Sequence, residues 1–197
     1  MPSAVAVIKV GGSLYDLPDL GVRLRRWLAQ EFLDHPIVLV PGGGPLVDAI
    51  RCLDRCHHLG EETSHWLALR VLTVNAHFLA SLLPAACVSG DVGVLGRAWE
   101  QNLLPILDVH EFARSDERRM GHLPHDWSVT SDALAARVAL VLSARHLVLL
   151  KSTTIPCTVD WTEAGRLGLV DALFAEVLRH APADLRVRAV NLRAWSV

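Results

Sequence analysis

The chain predicts an α/β fold in which a mainly parallel sheet lies between helical layers, and three observations predict it. Apolar, valine-rich runs of strand length alternate with segments of helical period, the grammar of a parallel sheet. Glycine loops follow two of those runs directly, at 11–12 and 42–44. The only two lysines in 197 residues, Lys9 and Lys151, each close such a run, although arginine occurs seventeen times. The length suits one domain spanning 1–197.

Residues 4–10 are apolar apart from Lys9 and too short for a helix, which marks a central strand buried on both faces. Leu20, Leu24, Trp27, Leu28 and Phe32 recur at helical spacing, so 19–33 reads as an amphipathic helix with Asp19 as its cap. Pro36 opens a second strand over 37–40, and the Pro41-Gly42-Gly43-Gly44-Pro45 loop leads into a helix over about 46–56. A long helical pattern covers 61–83 and stops at Pro84. Short strands are expected at 86–89 and 104–107, with a helix over 91–101 between them. Residues 114–121 are polar and read as a loop or mobile flap. The final elements are a helix over 130–143 capped by Thr130 or Ser131, a strand over 146–151, a helix over 171–180 and a strand over 185–190.

Composition excludes several function classes. A net charge of −2 gives no electrostatic footprint for nucleic acid, and the arginine clusters at 23–26 and 114–119 are interspersed with acids, as on a solvated surface. No apolar stretch is long enough for a bilayer, and the start of the chain lacks a signal-peptide pattern, so a cytoplasmic protein without membrane partners is expected. Cys52, Cys56, Cys87 and Cys157 give no disulfide framework. Cys52 and Cys56 stand one helical turn apart before His57 and His58, but no second ligand pair accompanies them. Buried thiols on a helix face are expected there, and no metal ligands are assigned.

The remaining pattern suits phosphoryl transfer, in which a protein chiefly positions two reactants and neutralises charge. Gly11, Gly12 and Ser13, directly after Lys9, form one backbone cradle. Gly42, Gly43 and Gly44 form a second, backed by the positive end of the helix near Pro45. Asp132, in the first turn of the helix over 130–143, can stand between Lys9 and Lys151 and orient both. Neither a Walker-type loop, nor Gly-x-Gly-x-x-Gly, nor the hydrolase elbow Gly-x-Ser-x-Gly is present.

Four ordered pieces carry a resemblance: Val7-Ile8-Lys9-Val10-Gly11-Gly12-Ser13, Val40-Pro41-Gly42-Gly43-Gly44-Pro45, Thr130-Ser131-Asp132-Ala133-Leu134-Ala135 and Leu149-Leu150-Lys151-Ser152. The chain resembles the amino acid kinase superfamily. Within it, Ser64-His65-Trp66-Leu67-Ala68 and the wording around Trp127 and Asp132 are most similar to the small (aminomethyl)furanmethyl-phosphate kinase branch of methanofuran and one-carbon metabolism. The resemblance implies a three-layer αβα sandwich that binds ATP and Mg2+ at the carboxyl edge of its sheet. It implies Lys9, Asp132 and Lys151 as catalytic residues. Gly11, Gly12, Ser13, Gly43, Gly44, Ser152 and Thr153 would bind the nucleotide, and Gly42, Pro45, His65 and Thr130 the acceptor. His65 is otherwise read as a packing histidine, and both readings stand. The acceptor would be a small phosphate monoester; a carboxylate acceptor, or a noncatalytic nucleotide-binding role, is the alternative. Residues 151–156 lack the Asp-Gly segment and further lysine of larger members, so either Lys151 takes over that cationic role or nucleotide binding is weakened. Homo-oligomerisation is left open.

Overall fold

The computed structural model describes residues 4–33, 35–156 and 158–196. Six strands, β1 (Ala6–Val10), β2 (Ile37–Pro41), β3 (Ala86–Ser89), β4 (Leu104–Leu107), β5 (His146–Lys151) and β6 (Arg186–Asn191), form one sheet in the order β3-β4-β2-β1-β5-β6. Every pairing in it is parallel. The helices are α1 (Leu20–Phe32), α2 (Gly44–His57), α3 (Glu61–Leu82), α4 (Leu95–Glu100), α5 (Val109–Asp116), α6 (Ser131–Val141), α7 (Trp161–Arg166) and α8 (Phe174–Leu178).

Alternation along the central strands sorts the core into two layers. Ala6, Ile8 and Val10 of β1 pack with Leu20, Leu24, Trp27 and Leu28 of α1, while Val7 packs on the opposite face among α5, α6 and α8. Fully burying a side chain such as Leu24 contributes about 2 kcal/mol. In β5, Val148 and Leu150 share the α1 face, whereas Leu147 and Leu149 share the α6 face. Side chains repeat every second residue along a strand, so Lys9 follows Val7 and Lys151 follows Leu149 onto the face covered by α6. Lys9 pairs in register with Leu149, which sets Lys151 two residues further along the adjacent strand. The helices after β1 and β5 cover opposite faces, α1 one and α7 with α8 the other. That divergence makes the β1/β5 edge a topological switch point, where open α/β sheets bind ligands.

The structure departs from expectation in several places. Asp19 makes no side-chain cap to α1; its carboxylate pairs at 2.8 Å with Arg23, one turn on. The helix expected over 91–101 is a 3-10 turn at Val92–Val94 followed by the short α4. Residues 114–116 belong to α5 rather than to a flap. Asp116, at its end, is buried and grips Arg137 with two hydrogen bonds of 2.7 and 3.0 Å, and Arg137 also donates to the carbonyl of Met120 at 3.0 Å. Arg114 is exposed, as expected of a solvated cluster, and lies over the Trp66 ring. Cys52 and Cys56 are exposed, not buried, because α2 buries only Val47 and leaves most of its surface to solvent. Cys157 lies outside the described residues. The helix α7 was not expected from sequence. No helix among the described residues is long and apolar enough to cross a membrane.

Candidate active site

At the carboxyl edge of β1 and β2 the two glycine loops pack backbone to backbone. Gly42 N–H donates to the Val10 carbonyl at 2.8 Å, carrying the β1–β2 ladder past the strand ends. A Cβ on Gly12 would lie 2.1 Å from the Gly44 nitrogen, and one on Gly42 would lie 2.4 Å from the Gly12 nitrogen. Only glycine permits that approach, and Gly44 also adopts a left-handed φ of 59°. Two side chains fasten the second loop. Asn75, buried in α3, donates to the carbonyls of Gly42 and Gly43 at 2.7 and 2.8 Å, and the Tyr15 hydroxyl donates to Gly42 at 3.0 Å. The loop opens into α2, whose N-terminus has no side-chain cap. Its first amide N–H groups therefore lack intrahelical partners and carry the positive end of the helix dipole.

Asp132, in the first turn of α6, stands between the lysines. Its Oδ1 lies 2.9 Å from Lys9 Nζ and its Oδ2 lies 2.5 Å from Lys151 Nζ. The Lys151 contact is an aligned hydrogen bond; the Lys9 contact is an ion pair without that alignment. The side chains of Lys9, Asp132 and Lys151 are 7%, 6% and 13% exposed, so solvent screens these charges little. Burial pushes the Asp132 carboxyl up, but Lys9 and then Lys151 outweigh it and hold the group below the ordinary carboxylate range. Burial, then repulsion from Lys9, draws the Lys151 ammonium down, with Asp132 opposing. One carboxylate against two ammoniums leaves this buried cluster one positive charge in excess, a setting for a polyanion.

A cavity of about 230 Å³ opens beside the cluster. Lys9, Gly12, Gly43 and Gly44 line its polar end, Leu69, Leu72 and Leu134 an apolar wall, and Trp127 with His65 an aromatic one. Trp127 is held by a 2.8 Å hydrogen bond from its indole N–H to Asp54 of α2, and Arg51 lies 5.0 Å from its ring centroid. His65 is buried and stacks on His125 at 5.2 Å between ring centroids. Burial draws its imidazole below the ordinary histidine value, with a hydrogen bond to the Asp126 backbone opposing. His65 packs against His125 and at the same time borders the cavity.

The residues singled out from sequence divide into two groups around Asp132. Lys9, Gly12, Gly43, Gly44, His65 and Thr130 border the cavity. Gly42 and Pro45 do not: the N–H of Gly42 is taken by the Val10 carbonyl and its carbonyl by Asn75 and Tyr15, and Pro45 has no N–H to offer. Gly11 lies beneath, its N–H bonded to the Leu150 carbonyl at 2.8 Å. Ser13 and Ser152 meet on the opposite, open side with hydroxyl oxygens 2.8 Å apart, and Thr153 is exposed next to them. Asn75, Tyr15 and Asp171 were not anticipated. Asn75 is hidden in the helical period of α3, although a buried asparagine on an apolar face is a signal that its partners must be found.

The chain is 26% identical over 164 residues, 82% of its length and 71% of the relative's, to the [5-(aminomethyl)furan-3-yl]methyl phosphate kinase of Methanocaldococcus jannaschii. Its fold matches the uridylate kinase of Archaeoglobus fulgidus with a TM-score of 0.64 at 16% identity, covering 90% of this chain and 87% of that one. It also matches the carbamate kinase of Giardia lamblia with a TM-score of 0.59 at 10% identity, over 97% and 93% of the two chains. The model of the amino acid kinase family matches residues 4–154, and the chain belongs to that family.

Proposed function

We propose that this protein is an ATP-dependent kinase that transfers the γ-phosphoryl group to a small phosphate monoester held in the cavity beside Lys9. The observation that carries the reading is the Lys9–Asp132–Lys151 cluster, one carboxylate 2.9 and 2.5 Å from the only two lysines of the chain. In the transition state the moving phosphoryl group spreads negative charge over its oxygens, and preorganised cations in a poorly screened site stabilise it. Lys9 borders the cavity and would bridge acceptor and transferred group; Lys151 would meet the donor phosphates. Asp132 keeps the two ammoniums from repelling each other apart and stays ionised while it does so. The free N–H groups at the start of α2 would hold the acceptor phosphate.

The open side, with Ser13, Ser152 and Thr153, suits the nucleotide, which supplies the phosphoryl group. Among the described residues no three His, Cys, Asp or Glu side chains are disposed to hold a metal ion, and both oxygens of Asp132 are taken by lysines. Mg2+ would be brought by the nucleotide, as part of the ATP–metal substrate.

The aromatic wall and the acids Asp48 and Asp126 at the cavity suit a flat, cationic acceptor body. [5-(Aminomethyl)furan-3-yl]methyl phosphate, named for the M. jannaschii relative, has that chemistry. The test is ADP release from ATP and Mg2+ with a panel of phosphate monoesters, with and without an amine, and of carboxylates. Turnover with aminomethyl-bearing phosphates is expected. Turnover with carboxylates alone would move the assignment to a carboxylate kinase, and ATP binding without turnover on any acceptor would make the protein a nucleotide binder.

A further inference from the structure

We propose that Asp171 is a positioning residue for the transfer centre, capping the N-terminus of α6 from the α7–α8 connection and so holding Asp132 between its lysines. The inference rests on the kinase reading above and adds to it the device that fixes its central carboxylate.

A helix leaves its first amide N–H groups without partners, and a residue at its own start usually supplies the cap. In α6 that residue is Thr130, yet its side chain makes no cap bond. The Thr130 hydroxyl instead donates to Asp171 Oδ2 at 2.7 Å. The same oxygen accepts the N–H of Ala133 at 2.8 Å and the N–H of Thr130 at 3.3 Å. Asp132 lies between those two donors, inside the turn that Asp171 clamps. A remote carboxylate thus replaces a local cap, and it anchors α6 to the segment that follows β5, the strand carrying Lys151.

Fold stability alone explains this poorly. Oδ1 of Asp171 is buried without a hydrogen-bond partner, a costly arrangement for a simple cap. Burial pushes the Asp171 carboxyl up, and the nearby Asp132 charge adds to that effect against the hydrogen bonds from Ala133 and Thr130. The Asp171 charge also acts on Lys151. Two carboxylates therefore flank one helix turn, Asp132 facing the lysines and Asp171 holding the turn in place. Displacing a reacting group by a fraction of its contact distance is enough to lose most of its effect.

The test compares wild type, Asp171→Ala, Asp171→Asn and Val177→Ala in the full chain. Val177 is a buried residue of α8, on the helix packed against α6, and serves as a control for destabilisation alone. Asp171→Ala is expected to lower kcat by about tenfold or more while KM for ATP and acceptor stays within about threefold. Asp171→Asn, which keeps one accepting oxygen, is expected to recover part of that loss, and Val177→Ala to lower Tm with kcat retained. A kcat for Asp171→Ala within about twofold of wild type, or an equal kcat loss in Val177→Ala, would overturn the proposal. Lysine-labelled NMR reads the clamp without turnover, because the chain gives only two lysine side-chain signals. The Lys151 signal, assigned through Lys9→Ala, is expected to move further in unliganded Asp171→Ala than in Asp171→Asn, which loses the same charge but keeps an accepting oxygen; equal shifts in the two variants, or none, reject the clamp. Failure of wild type on every acceptor would instead reject the kinase reading, with the NMR result still deciding the role of Asp171.

Discussion

The two sides of Asp132 are built differently. On the cavity side, Lys9 meets interlocked backbone, Gly12 against Gly44 and Gly42 against Val10, and Asn75 and Tyr15 fasten the second loop through the carbonyls of Gly42 and Gly43. On the other side, Lys151 opens onto an exposed edge where the Ser13 and Ser152 hydroxyls meet and Arg193 donates to the Ser13 carbonyl at 2.8 Å. A buried, backbone-made wall can fix the position of a small acceptor. An open, side-chain-made edge suits a larger ligand that brings its own charges and metal. The difference predicts that substitutions on the cavity side are severe and structural, whereas those on the open side are mild and confined to nucleotide binding.

The largest effect is expected where the two sides meet. Asp132→Asn, or Lys9→Ala, should reduce kcat by about a hundredfold or more, as when a preorganised transition-state donor is removed. Circular dichroism should show the fold retained. Next comes the interlocked backbone. Gly12→Ala forces a Cβ to within 2.1 Å of the Gly44 nitrogen and should destabilise the protein, on the order of 3 kcal/mol by denaturant titration. An unchanged unfolding midpoint would mean that the loops separate at little cost.

Asn75→Ala should act on one side alone. It leaves the Gly43 carbonyl without its bond and that of Gly42 with only the Tyr15 hydroxyl, raising acceptor KM by about tenfold and ATP KM by no more than about twofold. Equal changes in both constants would erase the distinction between the sides. Ser152→Ala should be the mildest, raising ATP KM by no more than about threefold with acceptor KM unchanged.

The two sides also differ in their response to pH. Lys151 is drawn below the ordinary lysine value of 10.5 by burial and by Lys9, so the alkaline limb of kcat should fall below that pH. Because its folded value is the lower one, the folded state holds fewer protons between the two values. The cost of burying this charge is complete below the folded value and is relieved as pH rises through it. Asp132 shifts stability in the same direction but in the acid range: its folded value is depressed, so its stabilising contribution is present above the unfolded carboxylate range, about 4, and is lost as pH falls through the folded value. A pH–rate profile with stability measured in parallel checks both windows, with stability expected to rise with pH in each.

Much of this was legible in the chain because local physics and tertiary structure agree. The strands over 86–89, 104–107 and 146–151 are where their apolar runs lie, and the alternation that buries Val7 and Leu149 also turns Lys9 and Lys151 to one face. The glycine loops were visible because close backbone approach demands glycine. What remained hidden depends on contacts distant in sequence. Asn75 reads as one more position in a long helix, and Asp171 is separated from Thr130 by 41 residues. Cys52 and Cys56 were misjudged because a helical spacing of apolar residues in α2 does not reveal that only Val47 is covered. Asp116 was assigned to a loop because its buried partner, Arg137, belongs to another helix.

The most direct measurement is 31P NMR of ATP, Mg2+ and an aminomethyl-bearing phosphate monoester with wild type and with Asp132→Asn. The account predicts that wild type builds a diphosphate signal from the acceptor and that Asp132→Asn, still folded, builds it about a hundredfold more slowly. Diphosphate formation by the variant at the wild-type rate would contradict it.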